Sequence, residues 1–232
     1  MKNKISIMLV ISSIVSVAQT SEEAQYAAYL TTSKSMWDRS ISIAEKAHGE
    51  HSFERAVAMY GLLNNTMVTK DEDTFDDNVD QTVDLLKEII EKSPNHGEPK
   101  AVLSSVYGLV MAYSPMKGML YGSKSSSLID DAMKNQEESP IVQKLYGGSK
   151  LYTPEMFGGS PEKAVTAFEK SVRLFEAGNT ENNWMYLDTL VGLSMAYIKT
   201  EKHDQARNTL NKALEVEPEY GWAKSILASL DK

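Results

Sequence analysis

The 232-residue sequence contains no cysteine, so disulfide bonds and cysteine nucleophiles are excluded, and stability has to come from packing. After the first twenty residues, no stretch approaches the roughly 20 apolar residues of a membrane-spanning helix. Basic residues are in the minority, with 24 against 32 acidic residues. The resulting formal charge of −8 disfavours nucleic acid and anionic lipid as partners.

The first twenty residues are different, because they combine the three parts of a secretory signal peptide. Lys2 and Lys4 supply a positive start, and the 13-residue apolar run at 5–17 is short for a bilayer span. Small residues follow at once and predict cleavage after Ala18; an uncleaved anchor is the alternative. We therefore expect a cleaved signal peptide at 1–18 and an exported, soluble protein, periplasmic or secreted, whose charge falls to −10 without the two lysines.

Apolar residues recur with the period of an α-helix nearly throughout the chain, and no strand-like alternation is sustained. In TVDLLKEIIE, for example, Val83, Leu86, Ile89 and Ile90 form one apolar stripe. The pattern predicts an all-α chain of antiparallel helix pairs with short connections. The predicted helices span about 22–47, 52–69, 77–92, 98–113, 124–136, 140–152, 161–177, 183–199, 203–216 and 219–230.

The segment 187–220 has a regular pattern of small and large residues. Ser194, Ala206 and Ala213 are small where two antiparallel helices have to approach closely, and Pro218 stops the second helix. Large residues fill the remaining interhelical positions: Leu187, Leu190, Leu193, Tyr197 and Leu210. This pattern resembles the tetratricopeptide repeat (TPR), which implies a short, irregular α-solenoid of stacked helix pairs with a C-terminal capping helix.

Two upstream repeats are related by an internal duplication with a period of 39 residues. Tyr107-Gly108 aligns with Tyr146-Gly147, and the turn that begins at Tyr113 aligns with the one that begins at Tyr152. Both have the same three-residue insertion between their two helices, relative to the last repeat. The duplication predicts that the two inter-helix turns are the same structural device.

The second of these turns lies in the stretch YTPEMFGGSPEKAV. Pro154 should end the first helix, the Gly158-Gly159 pair should turn the chain, and Ser160 should cap the second helix. Tyr152 is expected to keep its packing position. Met156 and Phe157 either plug the end of the repeat pair, which we favour, or form a contact lip at the groove edge.

The pattern predicts one TPR-like domain over 19–232. Its parts are a divergent N-terminal region at 19–97, repeats at about 98–136, 140–177 and 183–218, and a cap at 219–232 that covers the last apolar face with Trp222 and Leu227. In the divergent region, KDEDTFDD predicts an acidic loop ahead of a helix capped by Asp76 or Asp77. The whole pattern resembles exported TPR-containing proteins of Gram-negative bacteria, and more weakly periplasmic TPR proteins associated with solute transporters.

Catalytic and cofactor motifs are missing from the sequence: it has no H-E-x-x-H, G-x-S-x-G or phosphate-binding glycine loop. The run His48-Gly49-Glu50-His51 admits a metal site, but a helix end followed by a turn explains it better. We therefore expect no enzymatic activity, no metal and no cofactor.

The resemblance to TPR domains implies a binding groove lined by the first helix of each repeat. It places five candidate residues on that concave face: Tyr107, Met111, Tyr146, Lys150 and Met195. Met156 and Phe157 are further candidates at its edge. An aromatic, Met-rich groove suits a protein or peptide partner, and only Lys150 matches the basic clamp of some TPR domains. A closed pocket for a small apolar molecule, passed on to a transporter, is the alternative function. A second alternative is that the repeats fold inward and these residues belong to the core.

Overall fold

A computed structural model describes residues 20–230, which form eleven α-helices and two single-turn 3₁₀ helices. The α-helices are α1 (Ser21–Thr31), α2 (Lys34–His48), α3 (Phe53–Thr69), α4 (Glu72–Lys92), α5 (Gly97–Tyr113), α6 (Gly118–Gln136), α7 (Pro140–Tyr152), α8 (Pro161–Glu176), α9 (Trp184–Lys199), α10 (His203–Val216) and α11 (Gly221–Leu230). No strand occurs in this range, so the predicted all-α class is confirmed. None of the described helices has the length and apolar character to cross a bilayer. The predicted signal peptide lies outside the described residues.

Four helix pairs form the solenoid. We call α3, α5, α7 and α9 the A helices, and α4, α6, α8 and α10 the B helices that follow them. The pairs are antiparallel: Ser171, late in α8, donates to the carbonyl oxygen of Pro140, at the start of α7. In the last pair, Ser194, Ala206 and Ala213 are fully buried, as the predicted close approach of the two helices requires.

Phe168 on α8 shows how tightly the third and fourth A/B pairs are packed together. Its ring lies against Gly147 of α7 and Gly192 of α9, where an added Cβ would come within about 3 Å of ring atoms. Side chains at either glycine would therefore collide with the ring, which is only 3% exposed.

The N-terminal region differs from its prediction at two points. The single helix expected at 22–47 is split into α1 and α2 at Thr32, which adopts a left-handed φ of 51°. The amide of Asn65 donates to the carbonyl oxygen of Thr32 and holds this break against α3. The predicted acidic loop and the cap at Asp76 or Asp77 are wrong, because Asp71 accepts from the backbone N–H of Thr74 and starts α4 at Glu72.

The two duplicated turns begin alike and end differently. Each contains a 3₁₀ turn. It spans Pro115–Lys117 in the first and Glu155–Phe157 in the second, where it directly follows Pro154. In the second turn, Gly158 has φ 94° and Gly159 lies against the carbonyl oxygen of Thr153. The next helix, α8, therefore begins only after its N-cap at Ser160. The first turn lacks this glycine pair and runs directly into α6, six residues before the predicted start at 124.

The C-terminal helix α11 packs on α10, as predicted for a cap. Trp222 does not cover the apolar face, since it is 40% exposed. Tyr220, just before the helix, is buried instead and reaches across to α1. The last repeat is therefore closed by both ends of the described chain.

Candidate functional site

The A helices form the inner layer of the solenoid. Successive A helices contact one another, whereas the B helices pack on A helices, and in residues 20–230 no B helix has extensive contact with another. Because the A helices are closer together, the layers curve around the A side. The inner surface is therefore the candidate partner-binding face of this fold.

The helix α1 occupies part of this inner surface. It contacts both α3 and α9, the first and last A helices. Gln25 of α1 accepts a hydrogen bond of 3.0 Å from the indole N–H of Trp184, and the Tyr29 hydroxyl donates to Asp188 at 2.8 Å. The Tyr29 hydroxyl also contacts that of Tyr220. The inner layer thus already holds a helix of the chain itself.

A buried ion pair lies under α1. The Lys144 ammonium of α7 is 2.7 Å from the Asp188 carboxylate of α9, and both side chains are largely buried. Burial opposes the charged form of Lys144, but the carboxylate of Asp188 outweighs it and raises the pKa of Lys144 to about 12. The ammonium also lies 5.8 Å from the centre of the Trp184 ring. Asn183 caps α9 by accepting from the backbone N–H of Tyr186. This cap fixes the start of the helix at Trp184, and Asp188 follows one turn later.

Beside this cluster, the inner surface remains open at Tyr152. Its side chain is 61% exposed, so the expected packing position is not kept. The hydroxyl donates to the sulfur of Met195 at 3.6 Å, two helical turns beyond Asp188 on α9. Desolvation and the charge of Asp188 raise the pKa of Tyr152 to about 12. Tyr152 and Met195 together present an accessible aromatic and thioether surface.

The structure places the predicted residues on different sides of the solenoid. Tyr107 is turned away from the inner layer: it stacks on Tyr121 of α6 with ring centres 4.8 Å apart and lines a cleft against α4. Burial and the charge of Asp130 raise the pKa of Tyr146, and the Lys150 ammonium lies over its ring. Met111 is half-buried on α5. Of these residues, only Met195 contacts the open inner surface at Tyr152.

Lys150, Met156 and Phe157 lie at or near the α7–α8 turn. The Lys150 ammonium donates to the carbonyl oxygen of Gly158 and lies 5.1 Å from the centre of the Tyr146 ring. Met156 and Phe157 are 83% and 69% exposed, so the favoured interpretation as a plug is wrong.

The cleft beside Tyr107, which we call the outer cleft, has a volume of about 680 Å³ and lies between α4, α5 and α6. Its lining is mainly apolar, with basic and hydroxyl groups at the rim. The lining residues include Ile90, Leu103, Tyr107, Leu128, Lys87 and Lys124.

Sequence reasoning missed the residues that hold α1 in place. Gln25, Tyr29 and Trp184 are separated by about 160 positions along the chain, and no local pattern links them. One signal was present: Asp188 is the only acidic residue in the otherwise apolar helix WMYLDTLVGLSMAYIK. A lone acid on a buried helix requires a buried partner, which here is Lys144.

The curved double layer of A and B helices defines the class of this protein, an α-solenoid of TPR type. Residues 187–220 match the family model described as tetratricopeptide repeat. The structure resembles that of TTC0263, a thermophilic TPR protein from Thermus thermophilus, with a TM-score of 0.58 and 17% identity over 90% of this chain and 98% of that one. It also resembles the HusA haemophore from Porphyromonas gingivalis, with a TM-score of 0.56 and 19% identity over 77% of this chain and 92% of that one. No curated protein matches the sequence.

Proposed function

We propose that the protein is a non-enzymatic binding scaffold that holds a protein or peptide partner on its inner A-helix surface. The observation that carries this proposal is the docking of α1 on that surface through Gln25–Trp184 and Tyr29–Asp188. A surface that accepts one helix through buried polar and aromatic contacts is suited to a second. TPR solenoids in general present extended surfaces to protein partners.

The partner would contact the open surface next to α1. Tyr152 and Met195 offer an exposed ring and a flexible thioether, which suit an apolar stripe on a helix or peptide. Lys199 closes one side of this surface, because its ammonium donates to the carbonyl oxygen of Leu151 at 2.8 Å. The protein would therefore recognise apolar side chains more than a terminal carboxylate.

A capture experiment with three variants tests which surface binds. The tagged protein and the variants Tyr152→Ala, Tyr146→Ala and Trp222→Ala are incubated with a periplasmic extract, and recovered proteins are quantified by mass spectrometry. We expect Tyr152→Ala alone to lose its partner. Trp222→Ala is the control for loss of an exposed aromatic side chain, since Trp222 is 40% exposed on α11.

The other outcomes separate the competing surfaces. Loss with Tyr146→Ala alone would refute the inner surface at Tyr152 and assign binding to the surface at Tyr146. Equal recovery of partners by the wild type and all three variants would refute both the inner surface at Tyr152 and the surface at Tyr146 as the binding site.

Export of this scaffold is part of the proposal and rests on the N-terminal sequence alone. Lys2, Lys4, the short apolar run and the site at Ala18 support it. Mass spectrometry of the exported protein should give Gln19 as the first residue. A first residue other than Gln19 would refute the cleavage site, and retention of the protein in the cytoplasm would refute export.

A second candidate function, binding of a small apolar molecule, is favoured by the outer cleft. Its apolar lining and volume of about 680 Å³ are of the size used for small ligands. HusA is described as a haemophore, but at 19% identity the likeness carries the fold alone. Titration with haemin and with an apolar fluorescent dye, compared with a Leu103→Glu variant, tests the cleft. Binding that the variant retains would place the ligand elsewhere.

A further inference from the structure

Exposed apolar side chains are concentrated at one edge of the solenoid. The A helices run parallel, since Tyr113 at the end of α5 bonds Thr66 at the end of α3, and their C-terminal ends share this edge. Of the ten large apolar side chains exposed in residues 20–230, eight lie there. They are Met67, Val68, Met116, Met119, Leu120, Tyr152, Met156 and Phe157.

The two duplicated turns carry most of this surface. Met116 and Met119 are 91% and 98% exposed in the first turn, and Leu120 lies beside them. Met156 and Phe157 project from the second turn. We call these five residues the turn edge. Its two halves are neighbours because α5 contacts α7.

The area of the turn edge is that of an interface. Large apolar side chains expose on the order of 150 Å² each at these fractions, so five present on the order of 700 Å². Monomers rarely leave contiguous apolar patches larger than a few hundred Å² in water. A specific protein interface of standard size buries about 800 Å² per partner, which is the order of area that the turn edge and its polar rim supply.

Charge complementarity identifies the occupant. Lys117 in the first turn and Glu155 in the second are both exposed, and neither forms an ion pair within residues 20–230. A two-fold axis between the turns places the first turn of one copy against the second turn of the other. Each Lys117 then faces a Glu155 of the partner subunit, twice per dimer. A lipid surface fits less well, because Glu155 lies directly beside the apolar tips.

We propose that the turn edge is the isologous interface of a homodimer, with crossed ion pairs between Lys117 and Glu155 at its rim. The two apolar turns are self-complementary because each copy carries both of them. This interface leaves α1 and Asp188 on the inner surface free, and it adjoins Tyr152 at the start of the second turn.

Analytical ultracentrifugation tests the proposal on protein expressed from the full coding sequence with a C-terminal tag. The wild type should sediment as a dimer at micromolar concentration. Met119→Asp and Phe157→Asp should each weaken association by about tenfold or more, because each buries a charge at the centre of the patch. Val216→Asp is the control: Val216 is also exposed but lies at the end of α10, on the opposite edge.

Charge reversal tests the crossed geometry. Lys117→Glu and Glu155→Lys should each weaken the dimer, and the double variant should restore it. All of these positions are exposed, so the circular dichroism spectra should match that of the wild type.

Four results would overturn the proposal. The first is a wild-type monomer at every concentration, and the second is a dimer insensitive to Met119→Asp and Phe157→Asp. The third is failure of the double charge reversal to restore association. A monomer that co-sediments with phosphatidylcholine vesicles would also overturn it, and would assign the edge to lipid.

Discussion

The two duplicated repeats, at 97–136 and 140–176, use the same tyrosine in opposite ways. Tyr113 packs back on Phe75 of the preceding repeat, with ring centres 4.4 Å apart, and donates to the hydroxyl of Thr66. Tyr152, 39 residues later, has no ring contact in the described part of the chain and is mostly exposed beside Met195. Duplication has thus preserved the fold, while the second copy leaves its tyrosine exposed.

Ser105 and Lys144 are also 39 residues apart and occupy equivalent positions in the two repeats. Substitution of Lys144 is expected to have the largest effect on stability. Ser105 hydrogen-bonds Tyr60, whereas Lys144 is paired with Asp188 inside the protein. Lys144→Ser would make the second repeat like the first and leave a buried carboxylate without its cation. We expect a loss of about 3 kcal/mol in the free energy of unfolding, measured by urea denaturation.

Lys163→Ser is the matched control for that substitution. Lys163 is exposed on α8, and its loss should change stability by less than about 0.5 kcal/mol. Equal effects of the two variants would show that the Lys144–Asp188 pair does not stabilise the fold.

The aligned glycines Gly108 and Gly147 should respond to alanine with opposite signs. Gly147 faces the ring of Phe168, which is also held by Gly192, so Gly147→Ala should destabilise by about 1–3 kcal/mol. No atom lies within 4 Å of a Cβ added at Gly108. Gly108→Ala should therefore stabilise the helix by about 0.5–1 kcal/mol. Thermal unfolding of both variants measures the difference, and a shift of the same sign in both would contradict this packing.

Alkaline pH provides a test of Lys144 without replacing its side chain. The pKa of Lys144 is raised from 10.5 to about 12, so its contribution is fully present below 10.5 and is lost as pH rises to about 12. The pKa of Tyr152 is raised from 10.0 to about 12, so its contribution to the free energy of unfolding is also lost as pH rises through this range. Urea denaturation at several pH values should give a steeper loss in the wild type than in Lys144→Met. Parallel curves would contradict the raised pKa of Lys144.

Local patterns predicted the helices and the duplicated turns well, but they did not predict the site. The bounds of α7 and α10 and the cap at Ser160 follow from periodicity and capping within a few residues. The docking of α1 on α9 joins residues about 160 positions apart, such as Tyr29 and Asp188. The repeat pattern also predicted Tyr107 on the concave face, whereas its side chain lines the outer cleft.

The smallest expected effect concerns the two tyrosine hydroxyls themselves. Tyr113→Phe removes a hydrogen bond of 3.0 Å to Thr66, which is buried, and should cost about 1 kcal/mol. Tyr152→Phe removes only a long contact to sulfur on an exposed ring and should leave stability unchanged. Thermal unfolding of the two variants compares them directly. A larger loss at Tyr152 would mean that the second tyrosine stabilises the inner layer, and that the second repeat has not released it for binding.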